Sequence, residues 1–533
     1  GVLLSLVSLW NHLAAAAWLP WCAWAGERLR GGEGAGRRLV VAGLVLSAPI
    51  LAGSPEMTLM GWALFAATLV AGPVPAAGRA RAGARLAGAA CLALLVSAPQ
   101  WLPTLIWLQG TRRALAAASE WGFWSQHPAG LLQWLLPVPL GDLPLRAGLR
   151  EALFESREPY LRSLYAGLAA LPLVLVGSGR HPRRGLWLAA GGLGLLLALG
   201  SHLPLAATLA ELPPFSMLRF PVKFLALPAL AWSLLAGAGL DSWPAAGPRW
   251  RAAALSATAL LALLALGLSG LAAAIGLRPG ASDAWLLAPP DPGLLRSCAW
   301  GLGAAGALAL TGVALAAGRR GVGVLALAAL AVADLGLQHA RLHPGAPVEL
   351  FRFRPAILNA LSGTSLPRLY VFDYADVAGG AERHLGRARA FRARVPDLSR
   401  DSRWYEALAL RAYLYPPIGA AFGLPGSFEM DRLRLQPRAL AALNERLSAA
   451  EGTPDFGRLL RLGGVTHVVA LHRGIPGTLP AASLPSLFAE PVLLAQVEGA
   501  LPFAWVVGQA RRLSDEQAPV SYTHLTLPTK RIV

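Results

Sequence analysis

The residues best placed to do chemistry are two cations either side of a proline, in the run Leu212-PPFSMLRFPVKFL. Pro221 suits the first turn of a helix, where its missing N–H and fixed φ do no harm. Arg219 and Lys223 then sit at the helix start. That is the positive end of the helix dipole, where two cations are mildly unfavourable. An anion resolves the conflict: a phosphate held by free backbone N–H groups, a forked guanidinium and an ammonium. The competing expectation is that both side chains snorkel to lipid headgroups. Arg112 and Arg113 pose a similar choice at the end of another apolar run. They read either as contacts to a helix C-terminus and lipid or as a clamp on the same phosphate.

If a phosphate is to leave during group transfer to a hydroxyl, a base must take the proton and cations must stabilise the departing charge. Glu56, Glu120, Asp142, Glu155 and Glu158 are the acidic candidates, and no spacing singles one out. Each reads equally as a solvated loop acid. Asp334 lies inside an apolar run, where an acid is a functional suspect, although interfacial hydration also explains it. His339 and His343 are spaced to share a helical face, but Pro344 follows and no third ligand is in reach. Two exposed interfacial histidines are expected there, not a metal site. His127, His181 and His202 show no metal spacing either, and no cofactor is expected. Cys22, Cys91 and Cys298 lie in or beside apolar stretches and read as packing residues. Gly191-GLG, inside an apolar run, reads as helix packing and not as a phosphate loop.

The elements that must hold these residues are membrane helices. The chain has 533 residues, 55% hydrophobic and 14% charged, where a soluble protein carries about 25% charged residues. That excludes an ordinary cytosolic enzyme, a secreted disulfide scaffold and a disordered protein. The net charge of +18 is carried by arginine clusters between apolar runs, not by one basic face, so membrane lipids and not nucleic acid are the expected partner. About ten apolar runs are candidate spans, near 2–25, 38–53, 56–73, 85–106, 160–178, 184–200, 221–240, 252–276, 296–317 and 321–339.

Arginines mark every second connection: Arg28 to Arg38, Arg79 to Arg85, Arg180 to Arg184, Arg249 with Arg251, and Arg319 with Arg320. By the positive-inside rule those connections are cytoplasmic. Loop 107–159 and everything beyond about 340 then face outside. That loop carries Trp107, Trp121, Trp124 and Trp134, and its run Leu131-LQWLLPVPL reads as re-entrant or interfacial. The expected fold is a polytopic α-helical membrane domain over 1–340 with an extracytoplasmic α/β domain over 345–519. Strand-like runs in the second domain are Arg368-LYVFDY, Val465-THVVAL, Val492-LLAQV and Phe503-AWVVG, with helical patterns near 403–413 and 436–449. The tail 520–533 is similar to translated sequencing-adapter DNA and is left out of the fold. The chain is expected to be a fragment cut at both ends.

Four sets of motifs occur in a familiar order: Gly53-SPE; Ala98-PQWLP with Thr111-RR; Pro214-FSMLRFPVKF with Ala236-GAGLD; and Leu460-RLGGVTHVV with Ala500-LPFAWVV. Over roughly residues 40–510 they resemble the YfhO family of bacterial polytopic membrane proteins. That family is similar in architecture to GT-C glycosyltransferases. The resemblance implies an integral inner (cytoplasmic) membrane protein that moves a sugar from a polyprenyl-phosphate donor to a cell-envelope acceptor on the outer face. It implies a donor phosphate near Arg219 and Lys223, and a catalytic carboxylate in a first outer loop, which would precede Gly1. Two rivals stand beside it: a lipid or polysaccharide transporter or flippase, and a non-enzymatic envelope assembly protein.

Overall fold

The computed structural model describes residues 1–31, 34–71, 76–115, 122–141, 143, 147–155, 159–204, 206, 208, 212, 218–277, 292–318, 321–340, 342–343, 345–364, 366–372, 402–429, 435–451, 453–474, 477, 479–487, 490–502 and 504. The expectations for Glu120, Trp121, Asp142, Glu158, Arg319, Arg320, most of the 503–508 strand and the 520–533 tail lie outside these residues. Two compact units divide the chain: Gly1–Thr104 with Ala116–Pro344, and Leu105–Leu115 with Gly345–Val533.

The first unit is built from helices α1 Val2–Ser5, α2 Trp10–Ala16, α3 Leu19–Arg30, α4 Ala35–Leu51, α5 Pro55–Val70, α6 Ala76–Gln109, α7 Ala147–Phe154, α8 Leu171–Arg180, α9 Arg184–Ala198, α10 Ala226–Ser242, α11 Pro248–Leu277, α12 Pro292–Gly318 and α13 Val322–His339. The last residues of α6 group with the second unit. Five stretches are long and apolar enough to cross a membrane: Ala80–Gln109, Pro221–Ser242, Pro248–Ile275, Leu294–Gly318 and Val322–His339. Large apolar side chains stand bare along them, with Leu95 67%, Leu260 70% and Val332 72% exposed. Water does not tolerate an apolar surface of that extent, and lipid does. The chain is a helical membrane protein.

The other expected spans come out shorter or broken. Residues 2–25 divide into α1, a 3-10 turn, α2 and α3. The second break falls just before Pro20, which starts α3 because its ring and missing N–H cannot continue a helix. In 160–178 the helix begins only at Leu171, followed by Pro172, and runs ten residues. Helices α4, α5 and α9 have 17, 16 and 15 residues, or about 22–26 Å against a hydrocarbon core of about 30 Å.

Small residues let these helices touch by backbone. A Cβ on Gly177 of α8 would fall 1.9 Å from Leu235 O of α10, and one on Gly239 of α10 would fall 1.8 Å from Leu173 O. A Cβ on Gly194 would meet Leu227 Cβ at 2.8 Å, so the Gly191-GLG run packs α9 on α10.

The second unit adds α14 Val348–Arg352, α15 Ile357–Ala360, β1 Leu369–Val371, α16 Ser402–Tyr413, α17 Arg438–Ala449, α18 Pro454–Leu462, β2 His467–Ala470, β3 Ala481–Leu484 and β4 Val492–Gln496. The sheet order is β1-β2-β4-β3. β1 and β2 are parallel, with Tyr370 opposite Val468, and the other pairs are antiparallel. All of β2 is buried, the polar His467 included. Tyr413, Phe456 and Leu460 from the helices close the core over Val468 and Val469. The sequence reading omits β3, whose Ala-Ala-Ser-Leu has no β-branched residue, and α18.

Candidate functional site

The sequence Ser-Pro-Glu makes a helix start, and it starts α5. Ser54 is the N-cap, its Oγ accepting from Met57 N at 3.5 Å; Pro55 opens the helix and Glu56 falls in the first turn. The cap satisfies a bare amide, and the helix dipole favours a carboxylate at this position. His12 of α2 meets the cap, with Nδ1 2.8 Å from Ser54 Oγ.

A second segment closes on Glu56 from the other side. The chain turns at Phe220, whose φ of 62° is one that bulky L side chains rarely adopt. Pro221–Leu225 then form a 3-10 turn ahead of α10. This carries Lys223 Nζ to 2.7 Å from Glu56 Oε1, with the two side chains only 4% and 2% exposed. The Arg219 backbone N–H donates to the same oxygen at 3.5 Å. Nζ also lies 4.9 Å from the Phe220 ring centroid and 5.7 Å from that of Tyr160, both within cation–π range. Trp124 stands edge-on to Phe220 at 4.5 Å. Glu56 Oε2 is buried and has no hydrogen-bond partner among the described residues.

Two features differ from the sequence expectation. The α-helix begins at Ala226, and Lys223 N already donates to Phe220 O at 3.1 Å, so the turn uses an amide that was expected to face an anion. The Lys223 ammonium is buried on a carboxylate and does not snorkel. Glu56, one of five undistinguished acids in the sequence, is the acid on Lys223. The signal that picks it out is the cap motif Gly53-SPE itself.

Arg112 and Arg113 group with the second unit. Arg112 pairs there with Glu445, the two side chains 43% and 60% exposed. The carbonyls that end α6 are met by a different arginine: Arg438 Nη2 donates to Gln109 O at 3.0 Å and Arg438 N to Gly110 O at 3.1 Å. Sequence reasoning did not mark Arg438.

Arginines of three connections of the first unit, 26–38, 74–85 and 179–184, gather where α5 ends, opposite its Glu56 start. Arg30 caps Ala71 O, just past α5. Arg85 donates to Leu29 O at 2.8 Å, Arg38 to Arg28 O at 3.1 Å, and Arg183 pairs with Glu27.

Asp334 is fully buried and not hydrated at an interface. It accepts from Tyr165 Oη at 2.6 Å and more weakly from Ala169 N at 3.4 Å, and its Oδ1 has no partner among the described residues. His339 is buried against Ser163 Oγ at 3.2 Å, whereas His343 bonds Leu4 O, so the two imidazoles diverge. His127 and His202 come together, ring centroids 5.0 Å apart. Partial burial, and then the neighbouring His127, hold His202 below the usual histidine pKa. Among the described residues no group of three His, Cys, Asp or Glu is arranged to hold a metal ion. Cys22 and Cys298 are buried and Cys91 is exposed.

No protein-family model, curated protein or solved structure matches this chain.

Proposed function

We propose that this protein is a membrane glycosyltransferase of the GT-C type, moving a sugar from a polyprenyl-phosphate donor to a cell-envelope acceptor. The observation that carries the reading is the ammonium of Lys223, buried beside Glu56 beneath Phe220 and Tyr160. A buried cation is kept only where it has an anion to hold, and flat rings beside it suit the faces of a sugar. A groove walled by Trp124, Gln126, Gln133, Glu155 and Val222 includes one of these rings, Tyr160, in its lining. Arg219 and Lys223 would take the donor phosphate. Arg112 and Arg113, in the second unit, are left out of the proposed site.

The sidedness in this reading is supported by the gathered arginines at the far end of α5. With that end cytoplasmic, the Glu56 end and the domain after 345 face outward across a bacterial inner membrane. The test is transfer of radiolabelled sugar from a polyprenyl-phosphate donor by the purified protein. Transfer above a protein-free control is expected; folded protein that transfers nothing overturns the reading. A transporter is the second reading, favoured by the fully buried Asp334 with its open Oδ1.

A further inference from the structure

We infer that Glu56 is a resident counter-ion standing where a substrate phosphate binds, so that the ligand must displace this carboxylate from Lys223. The inference rests on the phosphate-binding reading above and deepens it. A carboxylate and a phosphate ask for the same donors, and here the donors are already arranged: Nζ at 2.7 Å and the Arg219 N–H at 3.5 Å, both on Oε1. A carboxylate built as a permanent structural partner would have both oxygens satisfied, because an unmet buried acceptor is costly. Glu56 uses one. Its Oε2, on a side chain 2% exposed, has no partner among the described residues.

The way in is consistent with exchange. Tyr160 and Val222 line a groove whose walls include neither Glu56 nor Lys223, and Tyr160 is one of the two rings over Nζ. A phosphate entering there would have to pass the Tyr160 ring to reach the ammonium. Both donors come from the short segment 219–223, which is a strained turn and a 3-10 helix and not a regular α-helix. Holding a carboxylate until the ligand arrives also avoids leaving an ammonium bare in an apolar place.

The inference makes a prediction opposite in sign to that of an ordinary binding residue. Glu56→Gln removes the competing charge while keeping size and a hydrogen-bond acceptor. Binding of a polyprenyl phosphate in detergent micelles should become about ten-fold tighter, a change of about 1.4 kcal/mol. The matching polyprenol should gain nothing. Parallel arms use inorganic phosphate and phosphatidylglycerol: an equal gain there supports the counter-ion with a general phosphate as ligand. Unchanged or weaker phosphate binding by Glu56→Gln overturns it. If that variant folds only when phosphate lipid is present, the rescue supports the inference; failure of every phosphate compound to rescue it overturns it. Sugar transfer by the wild type with unchanged affinity in Glu56→Gln sinks the counter-ion alone. Tighter binding by Glu56→Gln with no transfer by the wild type sinks the enzymatic reading alone.

Discussion

Two ion pairs, one in each unit, use the same kinds of group in opposite surroundings. Lys223 and Glu56 are 4% and 2% exposed, roofed by aromatic rings. Arg112 and Glu445 are 43% and 60% exposed. In the sequence the two cations carried the same expectation, a phosphate or a lipid headgroup. Burial separates them. Water screens the Arg112 pair and can replace either partner at little cost. Neither partner of the buried pair has that alternative, so each depends on the other or on an anion of equal charge.

The sharpest way to break this contrast is to remove one partner. Lys223→Ala strands Glu56 in the interior and should cost about 3–5 kcal/mol, read as a lowered melting temperature in detergent. The double variant Lys223→Met with Glu56→Gln strands no charge and should recover most of that loss. A single variant that melts with the wild type would end the distinction. A smaller effect concerns a buried group in the second unit. Burial in β2 holds His467 below the ordinary histidine value. The unfolded chain therefore takes the proton first as pH falls. The contribution of His467 is whole above about pH 6.5 and is lost as pH drops through the folded value. Unfolding of this unit should be easier at pH 5 than at pH 7, and His467→Asn should flatten that difference. The smallest effect is expected for Arg112→Ala, below about 1 kcal/mol and shrinking further in salt. A loss as large as that of Lys223→Ala would show that exposure is the wrong variable.

The long spans were legible because a run such as 252–276 is apolar far beyond what a soluble helix needs. The first run was not, because mean hydropathy does not register that Pro20 restarts the helix. Residues 160–170 are apolar without being helical, and composition cannot tell the two apart. At the site, the residue types were legible and the pairing was not. Glu56 and Lys223 lie 167 residues apart, and nothing local to either announces the other. Arg438 escaped for the same reason, since the carbonyl it caps is 329 residues away. What a sequence shows well is a segment's relation to solvent; what it hides is which two distant segments share one buried charge.

The bare backbone contact between α8 and α10 bears on how the protein is made. At ten residues α8 is about 15 Å long, half a bilayer, and its own apolarity does not fix its depth. Its place is set by Gly177 and Gly239, which let it lie directly on α10. Yet the ribosome delivers α8 first. The shorter helix meets this host only once α10 has been translated, and a bulky residue at either glycine would force the two backbones apart.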